Sequence, residues 1–172
     1  MKCPFCGYSN IAGVDECDSC GGNLSSLDGF VPTIKIEQVL MEDPISKLNP
    51  REATLVPPEE TILAAVRKIN RDQTGCVLVS SPRGGIEGIV TERDILLRVL
   101  AKKKKPSAIP VKEIMTPNPT LLDEGDTLAQ ALNLMSVGGY RHLPILREGR
   151  PVAVISVKDV LNYLAKIFPS TT

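Results

Sequence analysis

The feature that most narrows what this 172-residue chain can fold into is an internal duplication. Slid against itself by 66 residues, Thr54-Leu55 falls on Thr120-Leu121, Thr61 on Thr127 and Ala65 on Ala131. At an offset of 65, the run Gly88-Ile89-Val90-Thr91-Glu92-Arg93-Asp94-Ile95-Leu96 lies over Ala153-Val154-Ile155-Ser156-Val157-Lys158-Asp159-Val160-Leu161. Self-similarity at such a period means one supersecondary unit written twice, and it outranks every other organisational signal. After a short extended piece at Thr54 or Thr120, apolar residues at Ile62, Ala65, Val66 and Ile69, or at Leu128, Ala131, Leu132 and Met135, follow the i, i+3, i+4, i+7 spacing of a helix. Two apolar strands follow, Cys76 to Val79 and Ile86 to Val90 in the first copy, His142 to Leu146 and Val152 to Ile155 in the second. Their connectors, Arg83-Gly84-Gly85 and Glu148-Gly149-Arg150, are hairpin signals. A last helix is expected to bury Ile95, Leu96, Val99 and Leu100, or Val160, Leu161 and Leu164. Each unit is thus β-α-β-β-α, and about 60 residues bury only a marginal core. The expected fold is α/β (α+β), with two such repeats packed with pseudo-two-fold symmetry.

Composition divides the chain into a Cys/Gly-rich head (1–24), a connector (25–43), the repeats (44–105 and 106–168) and a tail (169–172) expected to be frayed. Within the connector, the pattern from Ile34 to Met41 fits either a strand or a short helix. Twenty basic residues balance twenty acidic ones, so no whole-chain field draws it to nucleic acid or an anionic membrane. No apolar run approaches the ~18 residues of a membrane span, and the N-terminus, Met1-Lys2-Cys3-Pro4, lacks the apolar core expected of a signal peptide. A cytoplasmic, reducing setting is therefore expected, where four cysteines within the first 20 residues point to metal rather than to disulfides.

The duplicated chemistry lies at the junction of last strand and last helix, Thr91-Glu92-Arg93-Asp94 and Ser156-Val157-Lys158-Asp159. Hydroxyl and acid three residues apart before an apolar run form a capping box, satisfying free amides of the first turn. Yet both copies also place a cation, Arg93 or Lys158, in that first turn, facing the positive end of the helix dipole at a cost of about 0.3–1 kcal/mol. A bound phosphate would reverse the sign, with hydroxyl, amides and cation holding its oxygens and Asp94 or Asp159 accepting from a ribose diol.

These residues carry a resemblance. Gly88-Ile89-Val90-Thr91-Glu92-Arg93-Asp94, Lys112-Glu113-Ile114-Met115-Thr116-Pro117 and Arg141-His142-Leu143-Pro144-Ile145 resemble the signature, lead-in segment and central strand of CBS domains, here as a tandem pair or Bateman module from about Pro44 to Phe168. The resemblance implies a regulatory module binding AMP, ADP, ATP, S-adenosylmethionine or NAD in clefts between the repeats. By position it assigns the ribose to Asp94 and Asp159 and the phosphates to Thr91 and Ser156. Thr54, Thr120, Cys76-Val77 and His142-Leu143 would flank the adenine, with Arg141 and Pro144 in the same central strand. It also implies a homodimer paired through helices. Two departures stand out: Ala153 replaces the signature glycine in the second copy, and Thr74-Gly75-Cys76-Val77-Leu78 replaces the Pro-containing strand in the first. His142, the single histidine, and Cys76, inside an apolar strand, read most simply as wall and core residues.

In the head, Cys3-x-x-Cys6-Gly7 and Cys17-x-x-Cys20-Gly21 are two knuckles with ten residues between Cys6 and Cys17. Four thiolates close a tetrahedral shell with no position left for catalysis, so the head resembles a structural zinc ribbon, with a rubredoxin-like iron centre as the minority alternative. With so few apolar residues it should fold only around metal. Lys102 to Lys105 between the repeats reads as a solvated turn, with a phosphate or nucleic-acid patch as the sharper alternative. No Walker loop, paired-histidine motif or nucleophile with its base is present, which argues against an enzyme. The competing function is an adaptor: the ribbon binds nucleic acid or, given the balanced charge and few aromatics, a protein, while the repeats dimerise.

Overall fold

The structure, a computed structural model, describes residues 1–3, 5–24, 35–81 and 84–168. Expectations for 25–34, Arg83 and the tail therefore lie outside the described residues. In chain order the elements are α1 (Lys35–Glu42), a 3₁₀ turn (Ile45–Leu48), β1 (Arg51–Glu52), β2 (Leu55–Val56), α2 (Ile62–Asp72), β3 (Cys76–Ser80), β4 (Ile86–Thr91) and α3 (Glu92–Ile95). The α3 helix runs on into a π-helical turn, Leu96–Leu100. There follow β5 (Thr116–Pro117), β6 (Leu122–Asp123), α4 (Leu128–Gly138), β7 (His142–Arg147), β8 (Arg150–Ser156) and α5 (Val157–Ile167). Both copies are thus β-α-β-β-α, from β2 to α3 and from β6 to α5. The chain groups into two compact units, Arg51–Leu122 with His142–Ile155, and Met1–Pro50 with Asp123–Arg141 and Ser156–Thr172.

The first of these units holds the strands. One sheet runs β2-β3-β4-β5, the other β1-β8-β7-β6, whose chain passes into the second unit at Asp123 and Ser156. β2 and β3 pair in parallel (Leu55↔Leu78), which a short turn cannot connect, and α2 makes the crossover. β3 and β4 pair antiparallel (Val77↔Val90), as their glycine-containing hairpin requires. At the matching hairpin of the second copy, Glu148 and Gly149 both have positive φ, 51° and 75°, the backbone a two-residue primed turn needs.

The short strands are exchanged. β1 precedes the first repeat but pairs with β8 of the second (Arg51↔Val154, Glu52↔Ala153), while β5 precedes the second repeat but pairs with β4 of the first (Ile89↔Thr116). Each copy thereby covers an open edge of the other's sheet.

Alternation along β3 and β4 separates two cores. Val77, Val79 and Val90 face Ile62, Ala65 and Ile69 of α2, with Ile95, Val99 and Val111 completing the cluster. Cys76, Leu78 and Ile89 face the other way, onto Val154 of β8. One expectation fails here. Leu96, Leu97 and Leu100 are 56%, 55% and 50% exposed and Leu161 is 60% exposed, leaving Ile95, Val99 and Val160 as the buried residues of the last helices. In the first copy the wider π-helical turn shifts the side-chain register so that only Val99 of Leu96–Leu100 is buried, and α5 buries Val160 alone.

In the second unit, α1 resolves the open alternative in the connector as a helix and packs against α4. Asp43 ties its end to the repeat: its carboxylate accepts from Tyr163 Oη of α5 at 2.7 Å and pairs with Lys47, and its carbonyl accepts from Leu128 N at 3.1 Å. Lys35 Nζ lies 5.8 Å from the centroid of the Phe168 ring, within cation–π range. No helix among the described residues is long and apolar enough to cross a membrane.

Candidate functional site

In the first repeat the strand register gathers the sequence-designated residues at one end of one sheet. Cys76 pairs with Thr91 and Val77 with Val90, Leu78 N donates to Thr54 O at 2.9 Å, and Glu92 N donates to Gly75 O at 3.1 Å. Thr54, Cys76, Val77, Thr91 and, one turn on, Asp94 therefore share that end. The capping box is formed: Thr91 N and Oγ1 donate to Asp94 Oδ2 at 3.0 and 2.6 Å, and Asp94 N donates back to Thr91 Oγ1 at 3.3 Å. This consumes one carboxylate oxygen. The other, Oδ1, lies 3.4 Å from Arg98 Nε, an (i, i+4) pair. Arg93 projects into solvent.

Thr54 is buried, and its hydroxyl donates to Asp72 Oδ2 at 2.7 Å. The adjoining Arg71 guanidinium, with Thr54 second, holds the Asp72 carboxyl down at about 2. These groups, with Arg51 and Lys68, line a groove of about 580 Å³. Cys76 is inert as a nucleophile, since burial and the nearby Glu92 push its thiol up to about 12.

Two glycines in this region have structural reasons. A Cβ on Gly88 would stand 2.6 Å from Met115 Sδ and 3.0 Å from Thr116 O of the exchanged strand β5. A Cβ on Gly75, at φ +73°, would stand 2.6 Å from His142 Nε2. Sequence reading passed over Gly75 because only the fold reveals that the imidazole lies against its Cα.

The second repeat repeats the turn: Ser156 N and Oγ donate to Asp159 Oδ2 at 2.7 and 2.6 Å. Lys158 is exposed like Arg93. Of the other designated residues, Thr120 and His142 are half-buried, Leu143 and Pro144 are buried, and Arg141 is exposed.

The head builds a separate centre. Its two knuckles are near copies, fourteen residues apart: Gly7 N donates to Cys3 O and Cys3 N to Tyr8 O, as Gly21 N does to Cys17 O and Cys17 N to Gly22 O. Gly7 and Gly21 both have positive φ, 75° and 66°, which a side chain would strain. The Sγ atoms of Cys3, Cys6, Cys17 and Cys20 all lie within 4.8 Å of one another, with Cys3 to Cys20 at 3.7 Å and Cys6 to Cys17 at 3.5 Å. Tetrahedral metal–thiolate bonds of ~2.3 Å place sulfurs about 3.8 Å apart, so the four residues fit a closed thiolate shell. Phe5 N and Asn10 Nδ2 each donate to a sulfur at 3.4 Å, to Cys3 and Cys17 respectively, as second-sphere donors to thiolates do. Burial pushes the Cys20 thiol up to about 12. Burial also acts on Cys17, but the Asn10 amide and the Cys20 and Ser19 N–H groups outweigh it and bring that thiol to about 6. The centre can hold a metal ion.

Lys102 to Lys105 are exposed in a turn where Lys103 N donates to Leu100 O and Lys104 N to Val99 O.

A fold of two exchanged β-α-β-β-α repeats with a Thr/Ser-x-x-Asp turn in each defines a class, and the comparisons agree. The CBS domain family model matches residues 36–101 and 111–166, and the chain belongs to that family. CBS pairs are regulatory modules. Among named relatives, the CBS domain-containing protein CBSCBSPB1 of Arabidopsis thaliana is 31% identical over 155 residues, covering 88% of this chain but 28% of that protein. The chain thus spans little more than a quarter of that relative's length. Among solved structures, an uncharacterised conserved protein from Pyrococcus horikoshii is 26% identical with a TM-score of 0.66, covering 77% of this chain and 98% of that one. The CBS domain pair of protein MJ0100, solved with 5′-methylthioadenosine and S-adenosyl-L-methionine, has the same fold at a TM-score of 0.64 and 20% identity, covering 71% and 99%.

Proposed function

We propose that this chain is a non-catalytic sensor whose repeats bind an adenosine-containing small molecule and whose head (1–24) holds a structural zinc ion for contact with a partner. The observation that carries this is the paired turn. Thr91-x-x-Asp94 and Ser156-x-x-Asp159 occupy equivalent strand-to-helix junctions, each with an exposed cation, Arg93 or Lys158, in the first turn beside the capping carboxylate. Under this reading Thr91, Ser156, Arg93 and Lys158 meet phosphate or another charged group, and Asp94 and Asp159 accept from the ribose. Thr54 with Cys76-Val77, and Thr120 with Arg141 and His142-Leu143-Pro144, border the base. The bound adenosine compounds of the MJ0100 pair support that ligand class. Repeats at 44–105 and 106–168 remain our division of the body, in a cytoplasmic homodimer.

Thermal unfolding with AMP, ADP, ATP, S-adenosylmethionine and NAD tests this. A ligand at 100 times its Kd stabilises by about 2.7 kcal/mol, a readable rise in melting temperature. The rise should vanish in Asp94→Ala, Asp159→Ala or the double variant, and a chain that no adenosine compound stabilises would end the proposal.

The adaptor reading keeps support from one observation: Tyr8 and Ile11 on the head are 48% and 77% exposed, an apolar surface suited to a protein. A gel shift with nucleic acid at near-physiological salt separates the partner classes, because binding through Lys102 to Lys105 should collapse as salt rises.

A further inference from the structure

The metal knuckle is seated on the second repeat. Asn133 Nδ2 of α4 donates to Phe5 O, inside the Cys3–Cys6 loop, at 2.9 Å. Gly7, which closes that loop, lies so near the Gln130 side chain that a Cβ would come within 2.7 Å of Nε2. Gln130 is also part of the α4 cap: its Oε1 accepts from Thr127 N at 2.7 Å, and its own N–H donates to Thr127 Oγ1 at 3.2 Å. The head and α4 belong to one compact unit.

The duplication supplies an internal control. At the offset of 66, Gln130 and Asn133 fall on Ala64 and Arg67 of α2. Alanine offers no side-chain amide for a capping box, and Arg67 is exposed. The pair of amides that receives the knuckle is thus peculiar to the second copy, while the repeats otherwise match in element order.

The head's own core is small: Cys3, Cys17 and Leu24 are buried, with Met1, Phe5, Cys6, Val14 and Cys20 packed around them. Four of those eight side chains are the thiols, so the shape that presents Phe5 O and Gly7 to α4 depends on what holds the sulfurs together.

We propose that metal occupancy of Cys3, Cys6, Cys17 and Cys20 governs the stability of α4, and so of the second repeat, while leaving α2 of the first repeat unaffected. The chain would then report metal or thiol state through one repeat only, with Gln130 and Asn133 as the positioning residues. This rests on the metal-binding reading of the head and is independent of the nucleotide reading.

The test is amide hydrogen exchange on the full chain, loaded with one equivalent of zinc and then stripped with a chelator. Amides of Leu128–Gly138 should exchange at least about tenfold faster after stripping, while those of Ile62–Asp72 stay within about twofold. In Asn133→Asp, which removes the donor at nearly constant volume, and in Gln130→Ala with Asn133→Ala, the zinc content should be unchanged and the metal-dependent difference in α4 lost. Equal loss of protection in both helices would mean global unfolding and would overturn the selective coupling. So would an α4 indifferent to zinc in a chain that binds and releases it, or variants that keep the difference. A chain that takes up no zinc would remove the metal reading itself along with the proposal.

Discussion

Asp94 serves two masters at the scale of the single residue. Its Oδ2 closes the cap with Thr91, and only Oδ1, shared with Arg98, is left for a ligand. Asp94→Ala should therefore cost about 1 kcal/mol of stability without any ligand, and lower the melting temperature by about 2–4 °C in a chain of this size. Asp94→Asn, whose amide oxygen can still accept from Thr91, should keep most of that stability and lose the charge. If Asp94→Ala unfolds at the lower temperature while both variants lose the ligand, cap and ligand roles separate. Asp72 makes a pH prediction. Its carboxyl sits at about 2 in the folded chain because of Arg71 and Thr54, below the ~3.9 of an unfolded aspartate. A depressed folded pKa gives a contribution present above the unfolded value and lost as pH falls towards 2. The gap in urea midpoint between the native chain and Asp72→Asn should be constant near neutrality and shrink on acidification from about pH 5 to about pH 2.

At the scale of the element, the exchanged strands explain a residue that resemblance assigned to a signature. Gly88 is glycine because β5 crosses it: a methyl would meet Met115 Sδ and Cγ at 2.6 and 2.8 Å and the Thr116 carbonyl at 3.0 Å. The second copy tolerates Ala153 at the matching place, where β1 brings Glu52 opposite. Gly88→Ala should destabilise by about 1–3 kcal/mol in chemical denaturation, and Met115→Ala in the same chain should recover part of the loss by clearing two of the three contacts. Ala153→Gly should cost less than about 1 kcal/mol, through backbone freedom alone.

At the scale of the whole molecule, the exposed leucines bear on assembly. Leu96, Leu97 and Leu100 spend apolar area on water along one helical segment, and a second copy is the partner our proposed homodimer offers them. Leu96→Glu with Leu100→Glu should shift the mass in light scattering towards the monomer without lowering helix content, because the core is held by Ile95 and Val99. A monomeric native chain would remove the dimer and leave these leucines for another partner.

Much was readable from residues alone. The duplication set β-α-β-β-α twice, the spacing of Ile62, Ala65 and Ile69 and of Leu128, Ala131 and Met135 set the core faces of α2 and α4, and the Cys-x-x-Cys pairs set the thiolate cluster. These are local patterns, in which chain neighbours decide the outcome. Three things required the fold: the exchange of β1 and β5, the exposure of Leu96, Leu100 and Leu161, and the seating of the knuckle on Gln130 and Asn133. Each depends on which distant segment arrives at a surface. Periodicity can say that a face is apolar or an edge open, but only tertiary packing decides what covers it, because that contact joins residues up to 128 positions apart.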